Sequence, residues 1–394
     1  MNVLVLNGGS SSIKFSVFDT SGEGGVVRLL LDGEIRGLGE PKAELVISRQ
    51  NLRKTSNVRG AETPAGAIGL VLDAVAQTQG ISVDAVGYRV VHPGPRIRDH
   101  VCITEEVLQE LERAAEFAPL HDPQAVAYIR ETMRRMPDVP HVACFDTVFH
   151  QTMPEEASTY AIPELYRALG VRRYGFHGLS CESIVRQLSS VGTLPKRMVI
   201  AHLGSGCSVT AVLDGQSIDT TMGLTPTGGV LMGTRTGDVD PGLLLYLLRQ
   251  ELCADAADKL ETMLNHQSGM VALTGLANDM KAVRRAAEGG DNAAVLALKI
   301  FTRSIRKAIG AFAWLLGGLD AIVFTGGIGE HDAATRLEIL AGTDISVDSA
   351  PNGARGTGVR RISAPDSQTA VFAVTAQEDL VIALHVKRMV PVVV

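Results

Sequence analysis

Three glycine-bearing turns carry the first chemical signal: Asn7-Gly8-Gly9-Ser10-Ser11-Ser12, Gly204-Ser205-Gly206 and Gly326-Gly327-Ile328-Gly329-Glu330. Each follows an apolar run that reads as a strand. Glycine lets backbone N–H groups approach a ligand and adopt positive φ, and rows of such groups beside serine hydroxyls bind anions. One such turn is as readily a hairpin loop with no ligand. Three in one chain point to a polyphosphate. The chain has no G-x-x-x-x-G-K-[ST], so it is not a P-loop protein. No G-x-G-x-x-G opens a helix after a strand, so a Rossmann dinucleotide site is not indicated.

Charged groups recur where strands end. Arg89 sits in the otherwise apolar Tyr88-Arg89-Val90-Val91-His92, and Asp146 follows Ala143-Cys144-Phe145. Arg235 is wedged between Gly233, Thr234, Thr236 and Asp238, with no helical face to solvate it. An arginine so placed suits phosphate or carboxylate recognition. His121 and His177 lie in loops, where a single histidine is more often structural. H-E-x-x-H is absent, which leaves a zinc hydrolase without support.

The elements that must position these groups are strands and helices in alternation, which defines an α/β class. Asn2 to Asp19 alternates as strand, polar turn, strand. Val3, Gly8, Ser12 and Ile13 recur as Val199, Gly204, Ser208 and Val209, a constant offset of 196. A repeat at half the chain length predicts two related domains, each opening with one β-hairpin. Thr104 caps a predicted helix over Glu105 to Phe117. Asp240-Pro241 starts another, with Leu243, Leu244, Leu247 and Leu248 at helical spacing. Ala293 to Leu316 reads as a long buried helix, leading into a buried strand, Ala321 to Thr325.

Composition sets limits. The 394 residues are 45% hydrophobic and 20% charged, enough for a sizeable core, and the net charge of −6 argues against nucleic acid or anionic membrane as partners. Aromatic residues are only 4%, too few for base-stacking platforms. The five cysteines are scattered with no C-x-x-C, which speaks against a disulfide framework or zinc ribbon and fits a reducing cytoplasm. The opening MNVLVLNGG has no basic n-region. The longest uncharged apolar run, Ala308 to Leu319, falls short of the ~20 residues of a membrane span.

The blocks NGGSSSIKF, YRVVH, APLHDP, FDTVFH, RRYGFHG, HLGSG, DTTMGLTP, MGTRTGDVDP, FTGGIGE and EDLVIA occur in this order along almost the whole chain. In them the sequence resembles the acetate kinases, including their propionate-using relatives. The resemblance implies two RNase-H-like α/β domains of the acetate–sugar kinase, Hsp70 and actin group, an interdomain nucleotide cleft, and a homodimer. It implies one domain over 1–147, joined by a C-terminal helix over 379–394, and a second over 148–378 that carries most of the nucleotide site.

Position by position, Asn7, Ser10, Ser12 and Lys14 match the family's first phosphate motif, and Asn7 joins Glu378 at the Mg²⁺ (or Mn²⁺). Arg89 and Arg235 match the arginines on the carboxylate and transferred phosphoryl group, and His177 the histidine on that group. Asp146 matches the catalytic acidic residue, with His121 and His202 as supporting active-site histidines. Val91, Leu120, Phe176 and Pro226 match the acyl pocket. His202, Gly204, Ser205, Gly206, Asp279, Met280, Lys281, Gly327, Ile328 and Gly329 match the ATP site.

The implied reaction is reversible transfer of the γ-phosphoryl of ATP to acetate. That chemistry needs positioning and charge neutralisation and no activated serine or cysteine, which suits this residue set. The alternatives are a propionate or other short-chain acyl kinase, or a non-kinase nucleotide-binding regulator on the same fold. Departures from the family pattern are Tyr88, Pro93, Asp122, Leu179, Cys181, Ser205, Lys281 and His331, which the resemblance places near the nucleotide and substrate loops.

Overall fold

The computed structural model describes residues 1–9, 12–22, 26–40, 42–49, 52–114, 122–192, 194–250 and 255–391. The chain divides into two compact units, Met1–Val148 with Gln377–Val394, and Phe149–Ala376.

Unit 1 is built on strands β1 (Asn2–Gly8), β2 (Ser12–Asp19), β3 (Arg28–Arg36), β4 (Ala43–Arg49), β5 (Leu52–Val58), β6 (Ala85–Val90), β7 (Val101–Cys102) and β8 (His141–Phe145). Their order in one sheet is β5-β4-β3-β2-β1-β6-β8-β7. β1, β2 and β3 pair antiparallel, whereas β6 runs parallel to both β1 and β8. β1 and β8 are near-continuous apolar runs because helices cover the sheet and bury them.

Unit 2 holds β9 (Arg197–Leu203), β10 (Cys207–Leu213), β11 (Gln216–Thr220), β12 (Ala321–Thr325), β13 (Val359–Arg361) and β14 (Ala370–Val374), ordered β11-β10-β9-β12-β14-β13. Here too three antiparallel strands are followed by two parallel ones and an antiparallel edge strand. The duplication lies in the strand order. In detail the offset breaks: Val3 pairs with Phe18, fifteen residues on, but Val199 pairs with Ala211, twelve residues on. The second hairpin is three residues tighter, so Ser12 and Ser208 are not equivalent positions.

The helix predicted from Glu105 is present over Glu105–Ala114, its Val107 N–H donating to Thr104 Oγ1 at 3.3 Å; Phe117 lies outside the described residues. The helix Pro241–Gln250 starts with the Gly242 N–H on Asp240 Oδ1 at 2.8 Å. It buries no residue. The long helix spans Asn292–Leu315 and is buried on one face only, through Ala294, Ala297, Leu298, Phe301, Ile305 and Ile309, while Trp314 is 90% exposed. Its alanines serve close packing along a stripe rather than burial all round. Among the described residues no helix is long and apolar enough to cross a membrane.

The feature that positions the first site is the C-terminal helix, Glu378–Met389, which packs Val381, Ile382 and Val386 onto the unit 1 sheet. Gly87 in β6 permits that approach. A Cβ there would stand 2.6 Å from Ile382 Cγ2 and 2.8 Å from Val386 Cγ2, methyls on stiff β-branched stems. Gly87→Ala is expected to lower stability by about 1–3 kcal/mol through overpacking. Urea unfolding followed by circular dichroism measures this, and an unchanged midpoint would contradict the packing argument.

Candidate functional site

Unit 1 gathers charge where β1, β6 and β8 end. Asn7 stands near the end of β1 and Arg89 near the end of β6. Asp146 follows β8, its N–H donating to the Val90 carbonyl at 3.2 Å. Arg89 grips Asp146 with two donors, Nε to Oδ1 at 3.0 Å and Nη2 to Oδ2 at 2.6 Å. Nη1 donates to Asn7 Oδ1 at 3.2 Å, and Nε lies 3.9 Å from Glu378 Oε2. Burial works against the Arg89 charge, but the Asp146 and Glu378 carboxylates outweigh it and push its pKa above the ordinary value. Three of its five N–H groups are committed to Asp146 and Asn7, leaving two for an anion.

Asn7 is held from both ends of its amide. Nδ2 donates to Asp379 Oδ1 at 3.2 Å and to Glu378 Oε2 at 3.5 Å, while Oδ1 faces Arg89. Two carboxylates on one side and a guanidinium on the other allow one amide orientation. Asp379 accepts a second bond from Ser16 Oγ at 2.9 Å, and Ser16 lies 3.2 Å from Asp32 Oδ1. Burial raises the pKa of both Asp379 and Asp32, against the bonds that favour their charged forms. Asp379 was missed by the sequence analysis; an acidic pair opening an otherwise apolar helix was the available signal. Asn7, Asp146 and Glu378 are oxygen donors of the kind a hard divalent cation takes. Lys14 is exposed on β2, in register with Asn7, and Ser12 opens that strand. Ser10, Leu120 and His121 lie outside the described residues.

Unit 2 brings His177, His202 and Arg235 around the β9–β10 turn. His177 has φ 59° and ψ 25°, a left-handed conformation rare for a side-chain-bearing residue, just before the helix Gly178–Val191. Its Nδ1 is 3.0 Å from Ser208 Oγ, and its ring stacks on His202 at 4.1 Å. His202 Nδ1 is in turn 2.8 Å from Ser180 Oγ. Arg235 Nη1 donates to the Pro226 carbonyl at 3.0 Å. Gly206 is where they meet: a Cβ there would lie 3.4 Å from His177 Nε2 and 3.5 Å from Arg235 Nη1. Phe176 is buried, its carbonyl accepting from His150 Nε2 at 2.9 Å. Pro226 is partly buried, as is Val91 in unit 1.

A cavity of about 880 Å³ opens in the same unit. Gly204, Ser205, Asp279, Met280, Lys281, Gly327 and Ile328 all line it, as do Asn278, His331 and Asn352. Its size suits a nucleotide-sized ligand. The Asp279 carboxylate is used structurally, accepting the Lys281 N–H at 3.0 Å as cap of the helix Met280–Glu288. Asn278 Nδ2 holds Ser205 Oγ at 2.8 Å. His202, Gly206 and Gly329 are not among the lining residues. Of the departures, Ser205, Lys281 and His331 line the cavity. Tyr88, Leu179 and Cys181 are core instead. The Tyr88 hydroxyl is satisfied on His141 Nδ1 at 2.7 Å. Pro93 is buried at the turn after Val91, and the Asp122 side chain lies outside the described residues.

Two sheets that share a six-strand order, β3-β2-β1-β6-β8-β7 and β11-β10-β9-β12-β14-β13, with cations and carboxylates at strand ends, define a duplicated α/β fold of the RNase-H-like type. Residues 2–384 match the acetokinase family model. An acetate kinase of Halothermothrix orenii is 38% identical over 411 residues, covering 99% of this chain and 100% of that protein. The crystal structure of Porphyromonas gingivalis acetate kinase matches with a TM-score of 0.84 at 34% identity, over 98% of this chain and 99% of that one. A propionate kinase from Francisella tularensis matches with a TM-score of 0.90 at 33% identity, over 99% and 100%. The chain belongs to the acetokinase family.

If these two arginines serve a phosphoryl-transfer site, Arg89→Ala and Arg235→Ala should each lower turnover on the order of 10³-fold or more. Steady-state kinetics near those of the parent for either variant would remove it from the site. A second expectation concerns His150, fully buried between Ser217 and Phe176, whose pKa burial lowers from 6.5 to about 4. The unfolded chain therefore binds the proton more tightly. The stabilisation from neutral His150 is complete above about pH 6.5 and is lost as pH falls towards 4, by on the order of 3 kcal/mol. The stability difference between parent and His150→Gln should shrink over that range in urea unfolding; a difference independent of pH would contradict a neutral buried imidazole.

Proposed function

We propose that this chain transfers the γ-phosphoryl group of ATP to acetate, giving acetyl phosphate and ADP. The reaction is reversible because an acyl phosphate is itself a strong phosphoryl donor. The observation that carries this reading is Arg89, clamped by Asp146 and Asn7 with two N–H groups left to grip a carboxylate. A nucleotide-binding regulator on the same fold would have no use for such an arginine.

A carboxylate needs no general base to act as a nucleophile, so the protein's task is to position it and to neutralise charge. Arg89 holds the acceptor, and Asp146 keeps its guanidinium fixed. Arg235 and His177 neutralise the transferred group. Asn7 and Glu378 would hold Mg²⁺ or Mn²⁺, which when bound offsets phosphate charge. The nucleoside of ATP occupies the 880 Å³ cavity, and Ser12 and Lys14 serve the phosphates. Val91 in unit 1, and Phe176 and Pro226 in unit 2, are the apolar side chains this reading assigns to the acyl methyl. The likeness to a propionate kinase favours propionate as a second acceptor. Leu243, Leu245 and Tyr246 on one helix of unit 2, and Trp314 and Leu315 on another, are exposed apolar groups that suit a homodimer. Scattered cysteines suit the cytoplasm.

Trapping the acyl phosphate as its hydroxamate tests the reading, with ATP, Mg²⁺ and acetate, propionate or butyrate. Product from acetate that vanishes in excess chelator is expected; none from any of the acids would refute it. Each methylene is worth ~1–3 kcal/mol in an apolar pocket, so acetate over propionate should be a preference only. Val91→Ala removes two methyl groups and should shift kcat/KM towards propionate and butyrate. An unchanged ratio among the acids would take Val91 out of the pocket.

A further inference from the structure

The largest fully buried side chain among the described residues is a cation. Arg336, on the helix Ala333–Leu340, is 1% exposed. Its bonds all go to neutral oxygens: Nε to Asn352 Oδ1 at 2.8 Å, Nη1 to the Gly329 carbonyl at 2.7 Å and Nη2 to the Asn352 carbonyl at 2.5 Å. Burial and the neighbouring Arg360 lower its pKa only to about 10, so it is charged at neutral pH. Arg360 leans on the same turn, Nη2 to the Glu330 carbonyl at 3.4 Å, and its Nε is buried without a partner. The nearest acidic influence, Asp332, is committed elsewhere, to Arg284 at 3.0 Å and to Thr335.

This chain can pair a guanidinium nearby when it needs to, since Arg284 is held by both Asp332 and Glu338. Arg336 and Arg360 are instead left on the consecutive carbonyls of Gly329 and Glu330, at the far end of the short helix Gly326–His331. That helix lines the cavity through Gly327, Ile328 and its last residue, His331, and so does Asn352, which Arg336 holds by two bonds. Asn352 is pinned from its other side by Nδ2 on the Ala333 carbonyl at 3.3 Å. A buried charge with neutral acceptors alone is costly, and an anion bound in the cavity that Asn352 lines would offset it.

We propose that Arg336 is a positioning residue of the nucleotide cavity: backed by Arg360, it holds Asn352 and the Gly326–His331 wall in place and makes that wall electropositive, so that the phosphates of the nucleotide supply the counter-charge the fold withholds. The proposal rests on the reading of this cavity as the nucleotide site.

Binding of ADP and of uncharged adenosine is compared by calorimetry on the purified full chain, for the parent, Arg336→Met, Arg336→Lys and Asn352→Asp. Circular dichroism checks that each is folded. Asn352→Asp places a carboxylate against Arg336 with almost no change of shape. It and Arg336→Met should weaken ADP at least tenfold and adenosine less than twofold. Arg336→Lys keeps the charge and should stay within threefold of the parent for ADP. Unchanged ADP affinity in Asn352→Asp and Arg336→Met overturns the proposal. So does a parallel loss of ADP and adenosine, which marks a purely mechanical wall. If only Arg336→Met folds, its ADP-to-adenosine ratio decides alone. A parent that binds neither ligand overturns the reading of the cavity itself, and the proposal falls with it.

Discussion

Carboxylates crowd the end of the unit 1 sheet, and one guanidinium keeps them there. Asp146 and the adjacent pair Glu378 and Asp379 come from two distant places in the chain and would repel one another if left alone. Arg89 binds Asp146 directly, lies beside Glu378, and reaches Asp379 through the amide of Asn7. The positions of β1, β6, β8 and the C-terminal helix are thus coupled through one side chain. The same arrangement that makes the arginine a strong anion binder also fixes its plane, because Asp146 occupies two of its donors.

In the proposed reaction unit 2 has a different task, to bring cations and backbone N–H groups to a phosphate chain. Close backbone approach does most of this. Gly326 has φ 75°, and a Cβ there would stand 2.7 Å from the Leu203 carbonyl. Only glycine lets the turn after β12 lie against the end of β9. The left-handed His177 has a similar logic, turning the chain into the next helix while its ring stays stacked on His202.

Much of this was legible in the sequence, for reasons that differ by element. The hairpins and the two-fold strand order follow from alternation and from a repeat at half length. The three-residue difference between the hairpins does not, since an apolar alternation looks the same in either register. The long helix Asn292–Leu315 was found, but its alanine content suggested burial all round, and only tertiary packing shows Trp314 facing solvent. Among site residues, those that end strands in glycine-rich or apolar blocks were visible, as with Arg89 and Asp146. Asp379 was not, because its partner Asn7 is 372 residues away. Arg336 and Asn352 were not, because an arginine on a short helix reads as surface until its burial is known.

The C-terminal helix has a further consequence, for the order in which the protein is made. Unit 2 is one continuous stretch, Phe149–Ala376, and all of its strands precede the C-terminal helix in the chain. Unit 1 needs that last segment: without Ile382 and Val386 one face of β6 is bare at Gly87, and without Glu378 and Asp379 the Asn7 amide loses its carboxylate partners. Unit 1 is therefore the discontinuous one: its sheet can close only once a segment that follows the whole of unit 2 has been made. A segment that follows unit 2 completes the sheet that precedes it.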